Sequence, residues 1–181
     1  LSRADAAAEM GLWVMIEMPM AILNISDIAA ASQTSRLSGF VMGTNDLAKE
    51  MNAIATADRA AFQVALALTL TAARAYGLVA VDGVFNDFRD EPGLIAECQQ
   101  GRMMGFDGKT LIHPAQLEAT NRVYSPDPAE VAEARAIIEA FLLPENAGKG
   151  VIKLEGKMVE LLHLEQAKRL VAIDAMQSAL S

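Results

Sequence analysis

The sequence predicts an α/β fold built on a parallel sheet, and two observations support this. Four short, continuous apolar segments alternate with longer stretches of helical periodicity, and the connections between them are short. The centres of the apolar segments lie near positions 14, 41, 80 and 111, so they are 27, 39 and 31 residues apart. Short continuous apolar segments are typical of strands buried on both faces, and these spacings fit strand–helix repeats.

Each element is predicted from its local pattern. Four strands are predicted from the continuous apolar segments: 12–16, 39–42, 78–81 and 109–112. Three helices are predicted between them from apolar periodicity and flanking polar, glycine and proline residues: 21–31, 56–77 and 92–102. Every strand is followed by a polar residue with useful chemistry: Glu17, Asp46, Asp82 and His113. In parallel α/β proteins the carboxyl ends of the strands form the edge where chemistry takes place.

After Pro114 the α/β alternation stops. Three elements are predicted in the remaining chain: a helix over 128–143, a hairpin over 151–159 and a terminal helix over 161–180. Because a complete (β/α)8 barrel needs about 250 residues, the four strands predict the second half of such a barrel at 1–125. Residues 126–181 are predicted to form a C-terminal helical extension, or lid. The chain starts with Leu1 rather than methionine, a hint that it begins inside its gene.

Composition narrows the classes of function. The 181 residues are 52% hydrophobic and 21% charged, which predicts a folded domain with a buried core. The formal net charge of −8 argues against nucleic acid or a membrane surface as the main partner. No apolar run approaches the ~20 residues of a membrane span. Cys98 is the one cysteine, which excludes an internal disulfide framework and fits a cytoplasmic protein; we interpret it as a small core residue.

Two acidic residues form the strongest candidate site. Glu17 and Asp46 follow the first two predicted strands and are 29 residues apart, so their carboxylates are expected within about 5 Å of each other. Such a pair suits Mg²⁺, which takes one or two protein oxygens and keeps several waters. The alternative is that each acid only caps a helix. The turn at 43–46 could also present backbone N–H groups to an anion.

The two histidines carry weaker signals. His113 ends a predicted strand and is a candidate base or hydrogen-bond donor, although a histidine packed under a loop is an equal alternative. His163 lies in a charged helical stretch and is interpreted as a surface residue. The sequence contains no phosphate-binding Walker loop, no paired glycine-rich dinucleotide turn and no zinc-ligand spacing.

Five segments carry a resemblance to a known family: Met-Ile-Glu-Met-Pro at 15–19, Gly-Thr-Asn-Asp-Leu-Ala at 43–48, Val-Asp-Gly-Val-Phe-Asn-Asp-Phe at 81–88, Gly-Phe-Asp-Gly-Lys-Thr-Leu-Ile-His-Pro-Ala-Gln at 105–116, and Gly-Lys-Met-Val at 156–159. With these segments the sequence resembles the citrate lyase β-subunit and malyl-CoA lyase family of CoA-ester lyases, over essentially its whole length. The segment at 105–116 is the longest and most specific of the five.

The resemblance implies a (β/α)8 barrel that binds Mg²⁺ through a Glu and an Asp, which by motif are Glu17 and Asp46. It implies that the backbone amides around Gly43, Thr44 and Asn45 hold the carboxylate of a 2-oxoacid. Side chains in the loops after the third and fourth strands would line a channel for coenzyme A: Asp82, Asp87 and His113.

The sequence departs from the family pattern in two ways. The first four strands of the barrel are absent, and with them an arginine that contacts the acyl carbonyl. If the polypeptide is no longer than this chain, it is expected to be inactive or to need the missing half; the alternative is that the native enzyme is longer. Glu160 stands where the family often has an aspartate that is contributed to a neighbouring subunit's active site. A carboxylate is kept with one more methylene, so a role in proton transfer could survive. The alternative for Glu160 is a surface acid in the first turn of the last helix.

The function expected from the resemblance is Mg²⁺-dependent cleavage of a carbon–carbon bond in a 3-hydroxyacyl-CoA such as malyl-CoA or citramalyl-CoA, with citryl-CoA as a further candidate. The products would be acetyl-CoA, or a related acyl-CoA, and a 2-oxoacid, with Glu160 as the catalytic acid that delivers a proton to the enolate. One alternative is a malyl-CoA thioesterase of the same family, and another is a non-catalytic fragment of a barrel. Because half a barrel leaves unpaired sheet edges and an uncovered apolar face, we expect either a homo-oligomer or pairing with a missing segment. The expected homo-oligomer is a trimer or a hexamer.

Overall fold

The computed structural model describes residues 10–179, which form two compact units, one ending at Tyr124 and the other beginning at Ser125. The first unit contains a four-stranded parallel sheet in which each strand pairs with the next along the chain. Its strands are β1 (Leu12–Ile16), β2 (Leu37–Met42), β3 (Val79–Asp82) and β4 (Gly108–Lys109). The predicted α/β class and parallel strand order are therefore confirmed.

Six α-helices accompany this sheet in the described part of the first unit: α1 (Pro19–Leu23), α2 (Ile25–Ala30), α3 (Thr44–Met51), α4 (Gln63–Ala75), α5 (Glu91–Met104) and α6 (Leu117–Tyr124). The main core lies between the sheet and these helices, where Phe40, Leu47, Phe62 and Leu66 are almost completely buried. Burying a large apolar side chain stabilises the fold by about 1.5–3 kcal/mol. This core fixes the strands whose carboxyl ends form the candidate site.

The fourth strand is shorter than predicted. The expected strand at 109–112 is reduced to β4, because the chain turns away to form other hydrogen bonds. The Thr110 backbone N–H and hydroxyl both donate to the carbonyl of Asp82, at 3.0 and 2.9 Å. The Ile112 N–H donates to Oε1 of Gln116 at 3.0 Å. These partners satisfy the backbone without a longer β ladder.

Two predicted helices are also corrected. The helix expected over 56–77 begins at Gln63, because the Thr56 hydroxyl bonds to the Asp58 carboxylate in a local turn. Arg59 then takes a left-handed backbone conformation, with φ of 53°, which an α-helix cannot contain. The helix expected over 21–31 is divided into α1 and α2 at Asn24.

The second unit pairs two helices with a hairpin. It contains α7 (Pro128–Leu142), β5 (Val151–Leu154), β6 (Lys157–Glu160) and α8 (Leu161–Ser178). The hairpin turns at Glu155 and Gly156, which have φ of 48° and 83°, as a two-residue turn with left-handed backbone requires. This confirms the predicted hairpin. Throughout residues 10–179, no helix combines the length and apolar character needed to cross a membrane.

Candidate functional site

The carboxyl ends of β1 and β2 bring Glu17 and the start of α3 to the same sheet edge. Ile16 of β1 lies in register with Met42 of β2, and the Gly43 N–H donates to the Ile16 carbonyl at 3.0 Å. Glu17 and Gly43 therefore leave the sheet side by side. The first turn of α3, which carries Asp46, follows directly after Gly43.

Glycine is required at position 43 by the side chain of Glu17. A Cβ atom added to Gly43 would lie 2.4 Å from the Glu17 Cβ and 2.8 Å from its Oε2. Neither approach is sterically possible without a shift, so any other residue would displace the Glu17 carboxylate. The half-buried Glu17 side chain thus lies against the backbone at the start of α3.

The N-terminus of α3 has no side-chain cap. Gly43 is its N-cap residue, and no cap hydrogen bond from a side chain is present. The first N–H groups of a helix lack partners within the helix, so they form a site for an anion or carboxylate. Asp46 is exposed in this first turn. Neither Glu17 nor Asp46 is an N-cap residue, since Met18 and Gly43 hold those positions. Asp46 does lie in the first turn of α3, where an acid also stabilises the helix dipole.

The carboxyl end of β3 is different, because its acid is buried among cations. Asp82 is 0% exposed, and its carboxylate oxygens accept two hydrogen bonds from Nη1 of Arg59, at 2.8 and 2.7 Å. Nζ of Lys109 lies 3.7 Å from the same carboxylate and donates to the Gly83 carbonyl at 2.6 Å. Glu97 completes the group through ion pairs with Lys109 and, at 3.8 Å, with Arg59. We call Arg59, Asp82, Glu97 and Lys109 the buried charge cluster.

The expectation that Asp82 lines an open channel for coenzyme A is corrected by this arrangement. Its carboxylate is fully enclosed, accepts hydrogen bonds from Arg59 and from the Gly83 N–H, and forms an ion pair with Lys109 at 3.7 Å. Buried charges persist only when they are paired in this way. The cationic partners were not identified from the sequence, and only the charge of Lys109 at the start of an apolar segment could have signalled one of them.

Asp87 and His113 are both exposed, as a channel lining requires. The His113 ring stacks on Phe88 with centroids 4.3 Å apart and an interplanar angle of 17°. Its Nδ1 accepts a hydrogen bond from the Ala115 N–H at 3.1 Å, so a neutral ring carries its proton on Nε2. The alternative of a histidine packed under a loop is therefore wrong, whereas contact with coenzyme A stays a prediction.

A cavity of about 220 Å³ opens beside the start of α3. Its walls come from the first residues of α3, from residues 55–59, from the loop after β3 and from α5. Thr44 and Asn45 line one side, and Asn86 and Asp87 line another. The cavity thus borders the same N–H groups that the resemblance assigns to a carboxylate.

Glu160 lies in the second unit, as the last residue of β6, and its side chain is exposed. Its backbone N–H donates to Nδ1 of His163 at 2.9 Å. His163 is half-buried and caps the start of α8, so its interpretation as a simple surface residue is corrected. The catalytic role of Glu160 stays a prediction.

Two groups near the buried charge cluster have raised pKa values. Burial raises the pKa of the Cys98 thiol, and a hydrogen bond with Thr120 only partly opposes this. Burial also raises the pKa of Tyr124, whose hydroxyl lies in the first unit without a hydrogen-bond partner among the described residues. Cys98 is completely buried, as expected for a small core residue. Neither group is a candidate nucleophile.

No cluster of three or more His, Cys, Asp or Glu side chains with metal-binding geometry occurs within residues 10–179. A zinc-type site of side-chain ligands is thus not present in that range. A pair such as Glu17 and Asp46 matches the one or two carboxylates by which Mg²⁺ is held.

The sequence of this chain is similar to those of known proteins. Residues 3–114 match the family described as HpcH/HpaI aldolase/citrate lyase, and residues 63–174 match the C–C bond lyases of the TIM-barrel fold. A (3S)-malyl-CoA thioesterase of Cereibacter sphaeroides is 55% identical over 93% of this chain and 58% of its own length. The citrate lyase β subunit of Escherichia coli is 34% identical over 87% of this chain and 52% of its own. The chain thus spans slightly more than half the length of these curated relatives.

Solved structures agree with this assignment. The protein CitE from Mycobacterium tuberculosis, in complex with magnesium, acetoacetate and coenzyme A, superimposes with a TM-score of 0.74 at 28% identity. That alignment covers 93% of this chain and 62% of CitE. A citrate lyase from Burkholderia xenovorans shares the fold, with a TM-score of 0.79 at 20% identity, over 98% of this chain and 57% of its own. The parallel sheet and its helices are therefore part of a TIM barrel, and the chain belongs to the HpcH/HpaI aldolase/citrate lyase family.

Proposed function

We propose that this chain binds Mg²⁺ through Glu17 and Asp46 and acts on a malyl-CoA-type thioester. The observation that carries the proposal is the position of Glu17 against Gly43, beside the start of α3. A glycine at this point leaves space for a carboxylate beside an uncapped helix N-terminus, with Asp46 in the first turn of the helix. A half-buried and an exposed carboxylate suit an ion that keeps several waters.

The backbone N–H groups of Thr44 and Asn45 are proposed to bind the free carboxylate of the acyl group. The expected donor at Gly43 is corrected, because its N–H already donates to the Ile16 carbonyl at 3.0 Å. The absence of a side-chain cap on α3 supports this, because an uncapped first turn offers donors and a favourable dipole to an anion. The same turn places Asp46 next to the bound carboxylate, where metal and substrate would share one site. Asp87, which lines the cavity, and His113, whose ring stacks on Phe88, are proposed to contact coenzyme A.

Hydrolysis of the thioester is the reaction we propose. Four relatives that are 53–55% identical to this chain are named (3S)-malyl-CoA thioesterase. A bound Mg²⁺ would supply Lewis-acid polarisation and a water of lowered pKa. Glu160 of a neighbouring subunit is proposed to move the proton of the attacking water, as a general base. The products would be malate and free coenzyme A.

A second candidate is cleavage of the carbon–carbon bond. It is supported by the match to C–C bond lyases and by the citrate lyase β relatives at 34–35% identity. The same metal and carboxylate contacts would serve this reaction, with glyoxylate and acetyl-CoA as products from malyl-CoA. Glu160 would then return a proton to the enolate.

The homo-oligomer, a trimer or a hexamer, also stays a proposal. The edge strand β1 supports it, because it carries exposed apolar side chains, with Trp13 46% and Met15 54% exposed. Exposed apolar strands at a sheet edge favour association with further chain.

The proposed reaction is tested by supplying (3S)-malyl-CoA and Mg²⁺ and measuring free thiol and glyoxylate in parallel. Thiol release without glyoxylate is expected; glyoxylate with acetyl-CoA would establish the lyase instead. Glu17→Gln should reduce either activity by at least about 100-fold, whereas Glu118→Gln on the exposed face of α6 should not. Because the chain spans slightly more than half the length of its curated relatives, the assay uses the chain together with the rest of the barrel. No turnover by that protein at saturating Mg²⁺ would contradict the proposed reaction.

The role of Glu160 needs a separate variant. Glu160→Gln should leave Mg²⁺ affinity and folding unchanged and lower turnover by roughly 100-fold, the usual effect of losing a general acid or base. Mixing this variant with Glu17→Ala should restore part of the activity if Glu160 acts on a neighbouring subunit. Unchanged turnover in Glu160→Gln would remove the residue from the mechanism.

A further inference from the structure

Two side-chain amides join the start of α3 to the loop after β3. Nδ2 of Asn45 donates to Oδ1 of Asn86 at 3.0 Å, and Nδ2 of Asn86 donates to Oδ1 of Asn45 at 2.8 Å. Both residues are exposed, so each amide could bond to water instead. A reciprocal pair fixes the orientation of both side chains, which a single exposed hydrogen bond would not do.

A second contact lies beneath this pair. A Cβ atom on Gly83 would lie 2.6 Å from the Thr44 hydroxyl oxygen and 2.9 Å from its Cγ2, so the loop backbone passes directly against Thr44. The first two residues of α3 are therefore each held by the same loop: Thr44 by close packing on Gly83, and Asn45 by the amide of Asn86.

The loop itself is firmly anchored. Its first residue follows the fully buried Asp82, and the Gly83 carbonyl accepts a hydrogen bond from Lys109. Further along, the Phe85 carbonyl accepts a hydrogen bond from Nε2 of the buried Gln116 at 2.8 Å. Asn86 thus extends from an anchored loop, and its hydrogen bonds restrict the position of the Asn45 side chain.

We propose that Asn86 is a positioning residue: its amide holds Asn45 so that the first-turn N–H groups of α3 converge on a substrate carboxylate. This inference rests on the proposed function of those N–H groups. Because the Asn45 amide is bonded to Asn86 and the N-cap residue Gly43 has no side chain, no side-chain oxygen occupies the first-turn N–H groups, and these donors stay open.

The test is a double-mutant cycle in the intact chain with Mg²⁺ present, using (S)-malate as the probe. Asn86→Ala should weaken malate binding about fivefold or more, measured from the backbone amide shifts of Thr44 and Asn45. Asn45→Ala should have a similar effect, and the double variant should bind no more weakly than either single variant, because Asn86 acts through Asn45. Gln99→Ala, which removes an exposed amide on α5, is the matched control and should bind like the wild type.

A second readout keeps the inference separate from the proposed function. The Leu47 N–H donates to the Gly43 carbonyl at 3.0 Å and reports the opening of the first turn of α3. Asn86→Ala should speed hydrogen exchange at this amide about fivefold, whether or not malate binds. If the wild type does not bind malate but exchange speeds up, the proposed function fails and the positioning role stands. Additive effects in the cycle, or unchanged exchange, would overturn the positioning role.

Discussion

Two pairs of acidic residues lie near the carboxyl ends of the strands of one sheet, and they differ in whether cations surround their carboxylates. Glu17 and Asp46, at the ends of β1 and β2, lie beside a glycine and an uncapped helix, and no salt bridge joins either to a cation within residues 10–179. Asp82, at the end of β3, and Glu97, on α5, are paired with Arg59 and with Lys109 of β4.

This difference shows that the position of an acidic residue at a strand end does not by itself make it a functional residue. Where two cations enclose the carboxylate, the acid balances buried charge and supports the loop that follows. Where the carboxylate is partly exposed next to free N–H donors, it remains available to a metal ion. The acidic residues near β3 and β4 therefore have a structural role, whereas those near β1 and β2 are the candidates for metal binding.

Removing the charge of Asp82 should have the largest effect on stability. Asp82→Asn would leave Arg59 and Lys109 buried with only Glu97 as a counter-ion, and breaking a buried pair in this way costs about 3–5 kcal/mol. Urea unfolding would measure the loss. The matched control is Asp87→Asn in the same loop, where an exposed substitution should change the free energy of unfolding by less than about 0.5 kcal/mol. Equal values for both variants would contradict a structural role for Asp82.

A methyl group at position 43 should disturb the candidate metal site at the ends of β1 and β2. Gly43→Ala places a Cβ 2.4 Å from the Glu17 Cβ, which should destabilise the fold by about 1–3 kcal/mol and weaken Mg²⁺ binding at least tenfold. Gly108→Ala in β4 is the control, because a Cβ there would meet nothing within 4 Å. Calorimetric titration with Mg²⁺ would compare the two. Unchanged Mg²⁺ affinity in Gly43→Ala would place the ion elsewhere.

Cys98 offers the smallest and most local test, because it packs near the buried charge cluster. Its raised pKa means that the folded state binds the thiol proton more tightly than the unfolded state, so its contribution to stability is present below pH 9 and is lost at higher pH. Alkylation at pH 8 should be at least about 100-fold slower in the folded chain than in urea, since the thiolate is the nucleophile. Comparable rates would show that the β3–β4 end is open to solvent.

The parts of the fold set by local pattern were predictable from the sequence. An apolar run predicts the strand β1, and turn residues predict the hairpin that turns at Glu155 and Gly156. Parallel pairing predicts that the carboxyl ends of the strands lie at one edge of the sheet. The short helices α3 and α6 were not predicted, because eight residues give too few turns for periodicity to show.

The candidate site was predictable only in part. The positions of Glu17 and Gly43 follow from their strands, whereas the enclosure of Asp82 depends on Arg59, which reaches it from a loop through a left-handed turn. A contact between residues so far apart along the chain leaves no pattern in the sequence around either residue. The Asn45–Asn86 pair is hidden for the same reason, since its members are separated by 41 residues.

The most direct test of the central claim is to locate a bound divalent ion by anomalous scattering from crystals of this chain soaked in Mn²⁺ as a substitute for Mg²⁺. The comparison of the two acid pairs predicts one strong peak between the carboxylates of Glu17 and Asp46, at about 2.1 Å from an oxygen of each. It predicts no peak at Asp82 or Glu97. A peak at the β3–β4 end, or carboxylates of Glu17 and Asp46 that stay without an ion at saturating Mn²⁺, would contradict it.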